Sequence, residues 1–418
     1  MTTVFATDQD DSTSVANDMI EQQKSKQGTS LPTYFYKSDV IYKRELKKLF
    51  FNSWIYTGHI SQIPNTGDYF LCNMGNDSAI ICRHQDNSVH AFLNVCRHRG
   101  ARVAEEQCGN KKSFVCPYHG WTYDTDGTLK RARDMDMLSD FSCEHYPLKP
   151  ISLHIFHGMI FINFNADAPD LAKHTAQLES TLGPYRLEHA KVADSETYTV
   201  AANWKFVIEN YLECYHCATS HRQYAKIHTL REKWENVKQR VADVHKNSPA
   251  ITGLGTEFCE TISKEYTDSE EFGCDIWHDR YGLYEGYLTG SQDGQPLAPL
   301  MGDIGGFDGG AGDFQIGPFT FMLNYCDHAV LYRFIPRGQH KTDMDVVWFV
   351  NGDAVEGKDY DKEKLTALWH DTTMEDAYII SRNAEGALSD YYEPGPLHPE
   401  FEELDMKFLQ WYLNSMSA

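Results

Sequence analysis

Two short cysteine–histidine pairs constrain this chain more than any other feature. Cys96 precedes His98, Cys116 precedes His119, and seventeen residues separate His98 from Cys116. Two thiolates and two imidazoles in this arrangement suit a [2Fe–2S] cluster in which histidines replace cysteines on one iron. A structural zinc site is the alternative, but such sites usually have Cys-x2-4-Cys or His-x3-5-His arms. The pattern therefore predicts a small β-rich domain whose turns hold a redox cluster.

Length and charge narrow the class of protein. The 418 residues predict two domains, or one large domain with a small partner. We find no run of eighteen apolar residues and no signal-peptide pattern at the N-terminus, so we expect a cytoplasmic protein without a membrane span. The net charge of -22 disfavours nucleic acid and anionic membranes as partners. It fits either an encounter steered by a basic partner or a well-solvated surface.

Hydrophobic periodicity and turn residues give a coarse map of the elements. Strands are predicted at 68–72, 78–82, 90–95, 159–164, 319–324, 329–335 and 344–350. Helices are predicted at 34–54, 204–218, 221–237, 361–386 and 402–416. We expect a polar arm over residues 1–32 and a long irregular loop over 286–318. The cysteines outside the two pairs, Cys214 and Cys217 included, are predicted to be reduced thiols.

A second metal site is indicated by His216 and His221. Two imidazoles and one carboxylate form the facial triad of non-haem Fe(II) oxygenases, with open positions for dioxygen and substrate. Asp376, in a predicted helix, is the candidate third ligand, because Glu213 has another role. Alternatively, the histidines are ordinary helix residues, and Glu375 and Asp376 form a solvated helix face. A histidine pair downstream of a cluster site favours the iron interpretation, since one chain would then both deliver electrons and activate oxygen.

Taken together, these residues resemble the α-subunits of Rieske non-haem iron oxygenases over nearly the whole chain. The matching elements are Cys96-Arg-His98, Cys116-Pro-Tyr-His119, Asn203-Trp-Lys205, Glu213-Cys-Tyr-His216, His221 and Glu375-Asp376. The resemblance implies an α+β fold, in which an N-terminal β-rich Rieske [2Fe–2S] domain precedes a helix-grip mixed α/β catalytic domain. We expect an arm and helix over 1–45, the Rieske domain over 46–168 and the catalytic domain over 169–418.

The resemblance also implies a role for each motif. The cluster ligands are Cys96 and Cys116 on the buried iron, and His98 and His119 on the exposed iron. The mononuclear Fe(II) ligands are His216, His221 and Asp376. A separate flavin or iron–sulfur reductase passes electrons from NAD(P)H to the cluster. In a head-to-tail homotrimer, each cluster feeds the iron of the neighbouring subunit, and Glu213 occupies the position where most members bridge the two centres with aspartate.

Glutamate at position 213 resembles the branch that acts on quaternary ammonium compounds, such as carnitine and glycine betaine oxygenases. Residues 209–217, 353–361 and 392–396 resemble that branch as well. We therefore expect hydroxylation, with O2, of a C–H bond in a small quaternary amine, followed by N-demethylation. Aromatic faces that could receive the cation are Trp277, Tyr284, Phe319, Phe321 and Tyr325.

Two alternatives to this function remain. The first is hydroxylation of an aromatic ring or aromatic carboxylate, for which Arg333 or Arg337 would supply a positive charge. The second is an electron-transfer Rieske protein without catalysis of its own. A pure carrier would need neither the second site nor the 250 or so residues that follow the cluster region, roughly the size of a further domain.

Overall fold

The computed structural model describes residues 11–264 and 273–417. The chain divides into two compact units. One is continuous, from Ile55 to Ala168, and the other combines the chain up to Trp54 with the chain from Pro169 onward. Within the described ranges, none of the helices combines the length and apolar character needed to span a bilayer.

The continuous unit is built from short antiparallel strands. They are β1 (Ile55–His59), β2 (Asp68–Met74), β3 (Asp77–Arg83), β4 (Val89–Leu93), β5 (Cys108–Asn110), β6 (Phe114–Val115), β7 (Thr122–Tyr123), β8 (Leu129–Arg131), β9 (Ser152–Phe156) and β10 (Met159–Asn163). They form a four-stranded sheet ordered β4-β3-β2-β5 and two three-stranded sheets ordered β1-β10-β9 and β6-β7-β8.

The four-stranded sheet separates two hydrophobic cores. Successive side chains of a strand point to opposite faces, so Leu71 of β2 lies in one core and Cys72 in the other. The core around Leu71 also contains Cys96 and Cys116. The loops that carry the two cysteine–histidine pairs are therefore anchored in a packed interior.

The discontinuous unit contains the described helices and one large sheet. The helices are α1 (Thr13–Lys24), α2 (Tyr34–Lys37), α3 (Asp39–Glu45), α4 (Ala172–Thr175), α5 (Glu179–Leu182), α6 (Trp204–Leu212), α7 (Cys217–Ser220), α8 (Arg222–Ile227), α9 (Trp234–Thr252), α10 (Lys362–Ala387) and α11 (Glu403–Met416). The strands are β11 (Ala190–Val200), β12 (Ile262–Lys264), β13 (Ile276–Gly282), β14 (Gly310–Ile316), β15 (Thr320–Asn324), β16 (His328–Gly338) and β17 (Lys341–Asn351). All seven pair antiparallel, in the order β11-β17-β16-β15-β14-β13-β12.

Helix α10 lies across one face of this sheet. Its Trp369 and Thr373 meet Tyr332 of β16, with ring centroids 5.8 Å apart and a 2.7 Å hydrogen bond between the hydroxyls of Tyr332 and Thr373. Its His370 Nδ1 lies 2.8 Å from the hydroxyl of Tyr198 on β11. A long helix held against an antiparallel sheet is the helix-grip arrangement, and the predicted α+β fold class is confirmed.

The structure confirms the predicted strands and the helices predicted near 361–386 and 402–416. The helix predicted over 204–218 is wrong beyond Leu212, because the Glu213 carboxylate turns back to accept the N–H groups of Tyr215 and His216. The helix predicted over 221–237 is interrupted after Ile227, where Thr229 adopts a left-handed φ of 62°.

Two predictions of irregular chain are also wrong. Part of the expected polar arm forms α1, which is capped by Ser12 and buries Ala16 and Ile20, while residues 1–10 lie outside the described residues. The expected loop over 286–318 contains β14. Because Gly310 and Gly312 have no side chains, the sequence of β14 does not show the alternation of apolar and polar residues that predicts a strand. Strands β11 and β13 and most of α9 were not predicted, since their sequences are too polar for a clear apolar period.

Candidate metal centres

Two similar turns carry the four predicted cluster ligands. One follows β4 and holds Cys96 and His98, and the other joins β6 to β7 and holds Cys116 and His119. In each turn a glycine N–H closes onto the cysteine carbonyl, Gly100 onto Cys96 at 2.9 Å and Gly120 onto Cys116 at 3.0 Å. Both glycines have left-handed φ values, +81° and +72°, which other residues adopt only at a cost.

The two turns bury their cysteines and expose their histidines. Cys96 and Cys116 are each 3% exposed, whereas His98 and His119 lie at the surface with their Nδ1 atoms 3.1 Å apart. Burial raises the pKa of the Cys116 thiol. Two buried thiols opposite two exposed imidazoles are the donor set of a Rieske cluster, with a thiolate-bound inner iron and an imidazole-bound outer iron. The residues present fit that group.

Two aromatic residues support these turns. The Tyr123 hydroxyl lies 3.3 Å from Cys96 Sγ and accepts the Arg97 N–H at 3.0 Å. The buried indole of Trp121 stacks on the His98 ring, with centroids 5.0 Å apart and an angle of 9° between the rings. Trp121 therefore fixes the orientation of an otherwise exposed imidazole. Neither contact could be predicted from spacing, since both depend on the pairing of β6, β7 and β8.

The second predicted ligand set comes together between α7 and α10. His216 and His221 flank α7, and their Nε2 atoms lie 3.1 Å apart. Asp376 Oδ1, from the middle of α10, lies 2.9 Å from His221 Nε2 and 3.3 Å from His216 Nε2. Donors in adjacent positions on a metal about 2.1 Å away stand roughly 3.0–3.4 Å apart. The three atoms therefore fit one face of a non-haem iron site.

An outer pair of carboxylates holds the two imidazoles. His216 Nδ1 lies 2.5 Å from Glu213 Oε1, and His221 Nδ1 lies 2.8 Å from Glu375 Oε2. Burial alone would lower the pKa of His216, but Asp376 and Glu213 outweigh it and raise the pKa to about 9. The carboxylates of Asp376 and Glu213 thus favour a positive charge at His216. Glu375 was not predicted to have this role, because a carboxylate on a helix usually faces solvent.

The prediction of reduced thiols is wrong for Cys214 and Cys217. These residues form a disulfide with a Cα–Cα distance of 4.9 Å, which a Cys-x2-Cys spacing reaches at the first turn of a helix such as α7. Cys96 and Cys116, the predicted cluster ligands, take part in no disulfide. Although Cys217 lies close to His216 and His221, its sulfur is bonded to Cys214 and is not a free thiolate ligand. The bond encloses His216 in a small covalent ring.

Aromatic side chains surround the His221 side of this centre. Tyr224 lies 5.9 Å from the His221 ring and 5.5 Å from Trp369, and Tyr211 lies 4.4 Å from Phe321. We call this group the aromatic box; its members are Tyr211, Tyr224, Tyr281, Phe321, Tyr325, Tyr332 and Trp369. His228 contacts four of them and has a pKa lowered to about 4 by burial, so it stays neutral.

Of the five aromatic residues predicted to receive a cation, two belong to the aromatic box and three do not. Phe321 and Tyr325 belong to the aromatic box. Phe319 instead stacks on Phe50 at 4.2 Å, and Tyr284 lies beneath Lys226, 5.6 Å from its Nζ. Trp277, on β13, is only partly buried.

Neither arginine predicted for an aromatic acid faces the aromatic box. Arg333 neighbours Tyr332 along β16 and so points to the opposite face of the sheet, where it pairs with Asp345 at 2.6 Å. Arg337 pairs with Asp343 at 2.6 Å. Because carboxylates already pair with both arginines, neither is available to bind an aromatic carboxylate in the aromatic box.

Comparison with known protein families agrees with both sites. Residues 53–142 match the Rieske [2Fe-2S] domain, and residues 187–418 match the catalytic domain of the ring hydroxylating alpha subunit. The chain belongs to the family of Rieske non-haem iron oxygenase α-subunits. Its catalytic domain excludes the alternative of a cluster protein without its own catalysis. As an oxygenase component, it requires a small-molecule substrate and a reductase that supplies NAD(P)H electrons.

The similar sequences include oxygenase subunits from the branch of the family that acts on quaternary ammonium compounds. The chain is 36% identical over 391 residues to the glycine betaine monooxygenase oxygenase subunit of Pseudomonas aeruginosa strain UCBPP-PA14, covering 93% of this chain and 89% of that one. It is 31% identical over 217 residues to the carnitine monooxygenase oxygenase subunit of Acinetobacter pittii, covering 50% of this chain and 57% of that one.

Solved structures share the fold. A crystal structure of a quaternary ammonium Rieske monooxygenase in complex with L-carnitine has a TM-score of 0.67 at 20% identity, covering 96% of this chain and 99% of that one. Naphthalene 1,2-dioxygenase from Rhodococcus sp. bound to indole has a TM-score of 0.69 at 19% identity, covering 97% and 99%. At these identities the match establishes the fold, and it does not distinguish substrates.

Proposed function

We propose that this protein is the oxygenase component of a system that N-demethylates a small, betaine-like quaternary ammonium compound. Cys96, His98, Cys116 and His119 hold the [2Fe–2S] cluster, and His216, His221 and Asp376 hold the mononuclear Fe(II). The observation that carries the proposal is the convergence of these three donor atoms within 3.3 Å beside the aromatic box. The glycine betaine and carnitine monooxygenase relatives support the substrate class.

The overall reaction balances with the partners expected of the family. Dioxygen, two electrons and two protons convert an N-methyl group to N-hydroxymethyl and water. The hydroxymethyl ammonium ion then releases formaldehyde, the tertiary amine and one proton. When bound, the metal centres supply electron storage and oxygen activation. Side chains of the aromatic box bind and orient the substrate, and a desolvated cation over such rings gains about 2 kcal/mol.

Glu213 is proposed to connect the two centres. Its Oε1 holds His216 Nδ1 at 2.5 Å, and its Oε2 accepts the backbone N–H of His216 at 3.2 Å. The same carboxylate would accept an N–H from an exposed cluster imidazole of a neighbouring subunit, as the family arrangement implies. We therefore also propose a head-to-tail homotrimer. A cytoplasmic location stays a prediction of the sequence.

A turnover experiment tests the substrate class. The purified protein is supplied with an iron–sulfur flavin reductase, NADH and oxygen, and is offered glycine betaine, carnitine and a series of aromatic acids. We expect formaldehyde from a betaine, and none from the Asp376→Asn variant, which should lose iron and keep the cluster absorbance. Glu385→Gln, an exposed change on the same helix, is the matched control. Ring-hydroxylated product without formaldehyde would contradict the proposed substrate class.

A mixing experiment tests the homotrimer separately. His98→Ala disables the cluster and Asp376→Asn disables the iron site, so each variant alone should be inactive. Coexpression of differently tagged variants, followed by tandem purification, yields mixed assemblies. In these, an intact cluster of one subunit faces an intact iron site of another, and activity should return. Persistent inactivity of mixed trimers would show that electrons pass within one subunit.

A further inference from the structure

One carboxylate that pairs with no cation among the described residues lies on the same face of the sheet as the aromatic box. Asp313 belongs to β14, where it lies opposite Asp279 of β13 and Leu323 of β15. Its neighbour Phe314 points the other way and packs against Tyr185 and His278. Gln315, on the same face as Asp313, pairs in register with Phe321. The alternation of the strand therefore directs Asp313 toward the aromatic box.

The charge of Asp313 acts on the phenols of the aromatic box. Burial raises the pKa values of Tyr211, Tyr224, Tyr281 and Tyr325, and the Asp313 charge adds to each increase. This effect on four phenols agrees with the direction that the strand alternation gives to Asp313. Tyr224 in turn contacts the His221 ring, so the acid lies on the iron side of the sheet.

Nothing in the described parts of the chain neutralises this carboxylate. It accepts a hydrogen bond from the backbone N–H of Phe314. Burial first, and the facing Asp279 second, raise the pKa of Asp313 to about 8. Buried carboxylates in proteins are normally paired with a cation. The side chain is still partly accessible, as expected for the wall of a ligand site.

We propose that Asp313 is the specificity-determining residue that receives the positive charge of the substrate's quaternary ammonium group. The carboxylate supplies the counter-charge, and the rings of Tyr211, Tyr224, Tyr281 and Tyr325 supply aromatic faces for the methyl groups. With its pKa raised to about 8, Asp313 is mostly protonated at pH 7 in the empty site. A bound cation favours loss of that proton, so only a positively charged ligand gains the ion pair, and a neutral molecule of the same shape does not. The inference rests on the proposed function and adds the residue that selects the substrate charge.

Two probes of equal shape and different charge test this role. Glycine betaine and 3,3-dimethylbutanoate share a carboxylate and differ by nitrogen or carbon at the trimethyl centre. Binding of each to the oxidised, iron-loaded protein is measured by calorimetry without reductase. We expect Asp313→Asn to weaken glycine betaine binding at least tenfold and to leave 3,3-dimethylbutanoate binding unchanged or tighter. Asp313→Glu, which keeps the charge, should retain most of the preference for the cation.

The controls separate charge recognition from damage to the fold. Asp279→Asn removes the neighbouring carboxylate, which accepts the Thr261 hydroxyl at 2.9 Å. Because that carboxylate opposes ionisation of Asp313, the variant should keep or increase the preference for the cation. Cluster absorbance and iron content must match the wild type in every variant. Equal weakening of both probes in Asp313→Asn, or an unchanged preference, overturns the inference. Absence of formaldehyde from any quaternary amine with the wild-type protein instead overturns the proposed function.

Discussion

The buried ion pair between Lys205 and Glu45 allows a quantitative prediction about the stability of the discontinuous unit, which carries the iron site and is called the catalytic unit below. Both side chains are 0% exposed, and Lys205 Nζ lies 2.5 Å from Glu45 Oε1. The carboxylate also accepts the Tyr412 hydroxyl at 2.6 Å and the Trp204 indole N–H at 2.8 Å. Glu45 thus joins α3, α6 and α11, and α6 leads directly to the iron-ligand segment.

Glu45→Gln removes the counter-charge and leaves the ammonium group buried. Burial already lowers the pKa of Lys205 against the opposing effect of Glu45, so the variant should release the lysine proton. Releasing it at pH 7 from an ordinary pKa near 10.4 costs about 4.6 kcal/mol, which sets an upper limit. Breaking a buried pair usually costs about 3–5 kcal/mol. At about 2 °C per kcal/mol, the Tm should fall by roughly 6–10 °C.

A double-mutant cycle isolates the pair from its surroundings. Lys205→Met alone should cost a similar amount, because it strands the carboxylate, and the Glu45→Gln/Lys205→Met double variant should cost far less than the sum. Seven of the eight tryptophans lie outside residues 55–168, so indole fluorescence during urea unfolding reports on the catalytic unit. Visible absorbance of the cluster reports on the other unit and should be unchanged.

The exposed pair of Arg382 and Glu385 provides the matched control. Its side chains are 56% and 63% exposed, and Glu385→Gln should change stability by less than about 0.5 kcal/mol. If Glu45→Gln costs no more than Glu385→Gln, or if the double variant is as unstable as the sum of the singles, the reasoning about the buried charge is wrong.

Three further predictions concern the iron site and its surroundings. Glu375→Gln should weaken iron binding by roughly 10–100-fold, measured by competition with a chelator, while the cluster spectrum stays unchanged. Burial first, with Glu209 and Glu213, raises the pKa of Asp405 to about 10. The folded protein therefore holds a proton that the unfolded chain releases, and stability should fall as pH rises from 6 to 9. In Asp405→Asn, the free energy of unfolding measured with urea should fall less steeply with pH, by about 1 kcal/mol per pH unit. Alkylation under denaturing conditions should add two labels to the Cys214–Cys217 peptide only after reduction; labelling before reduction would contradict the disulfide.

The metal-binding motifs could be predicted because ligand chemistry is local. The spacing of Cys96, His98, Cys116 and His119 is set within two turns, and the structure brings these residues together as expected. His216 and His221 are also near in sequence. Asp376 was harder to predict, since its approach to the histidines depends on how α10 crosses the sheet. The ligand roles themselves stay predictions until metal is measured.

Residues whose role depends on strand register could not be predicted. Asp313 lies in a glycine-rich stretch that resembles a loop, and only the pairing of β14 with β13 and β15 turns it toward the aromatic box. The end of α6 at Leu212 depends on the Glu213 carboxylate, which competes with the helix for backbone N–H groups. The role of Glu375 likewise needs the three-dimensional approach of His221. For Asp313 and Glu375 the deciding contacts are tertiary, whereas the end of α6 is decided by a local competition between a side chain and the helix.

The discontinuous catalytic unit has a consequence for the order of folding during synthesis. Residues 55–168 form a complete unit, and the ribosome finishes it before most of the catalytic unit exists. Glu45, by contrast, must wait for Tyr412, which is made 367 residues later. Contacts this distant in sequence close slowly. The cluster domain can therefore fold and acquire iron and sulfide on the nascent chain, while the N-terminal helices remain exposed to chaperones until synthesis ends.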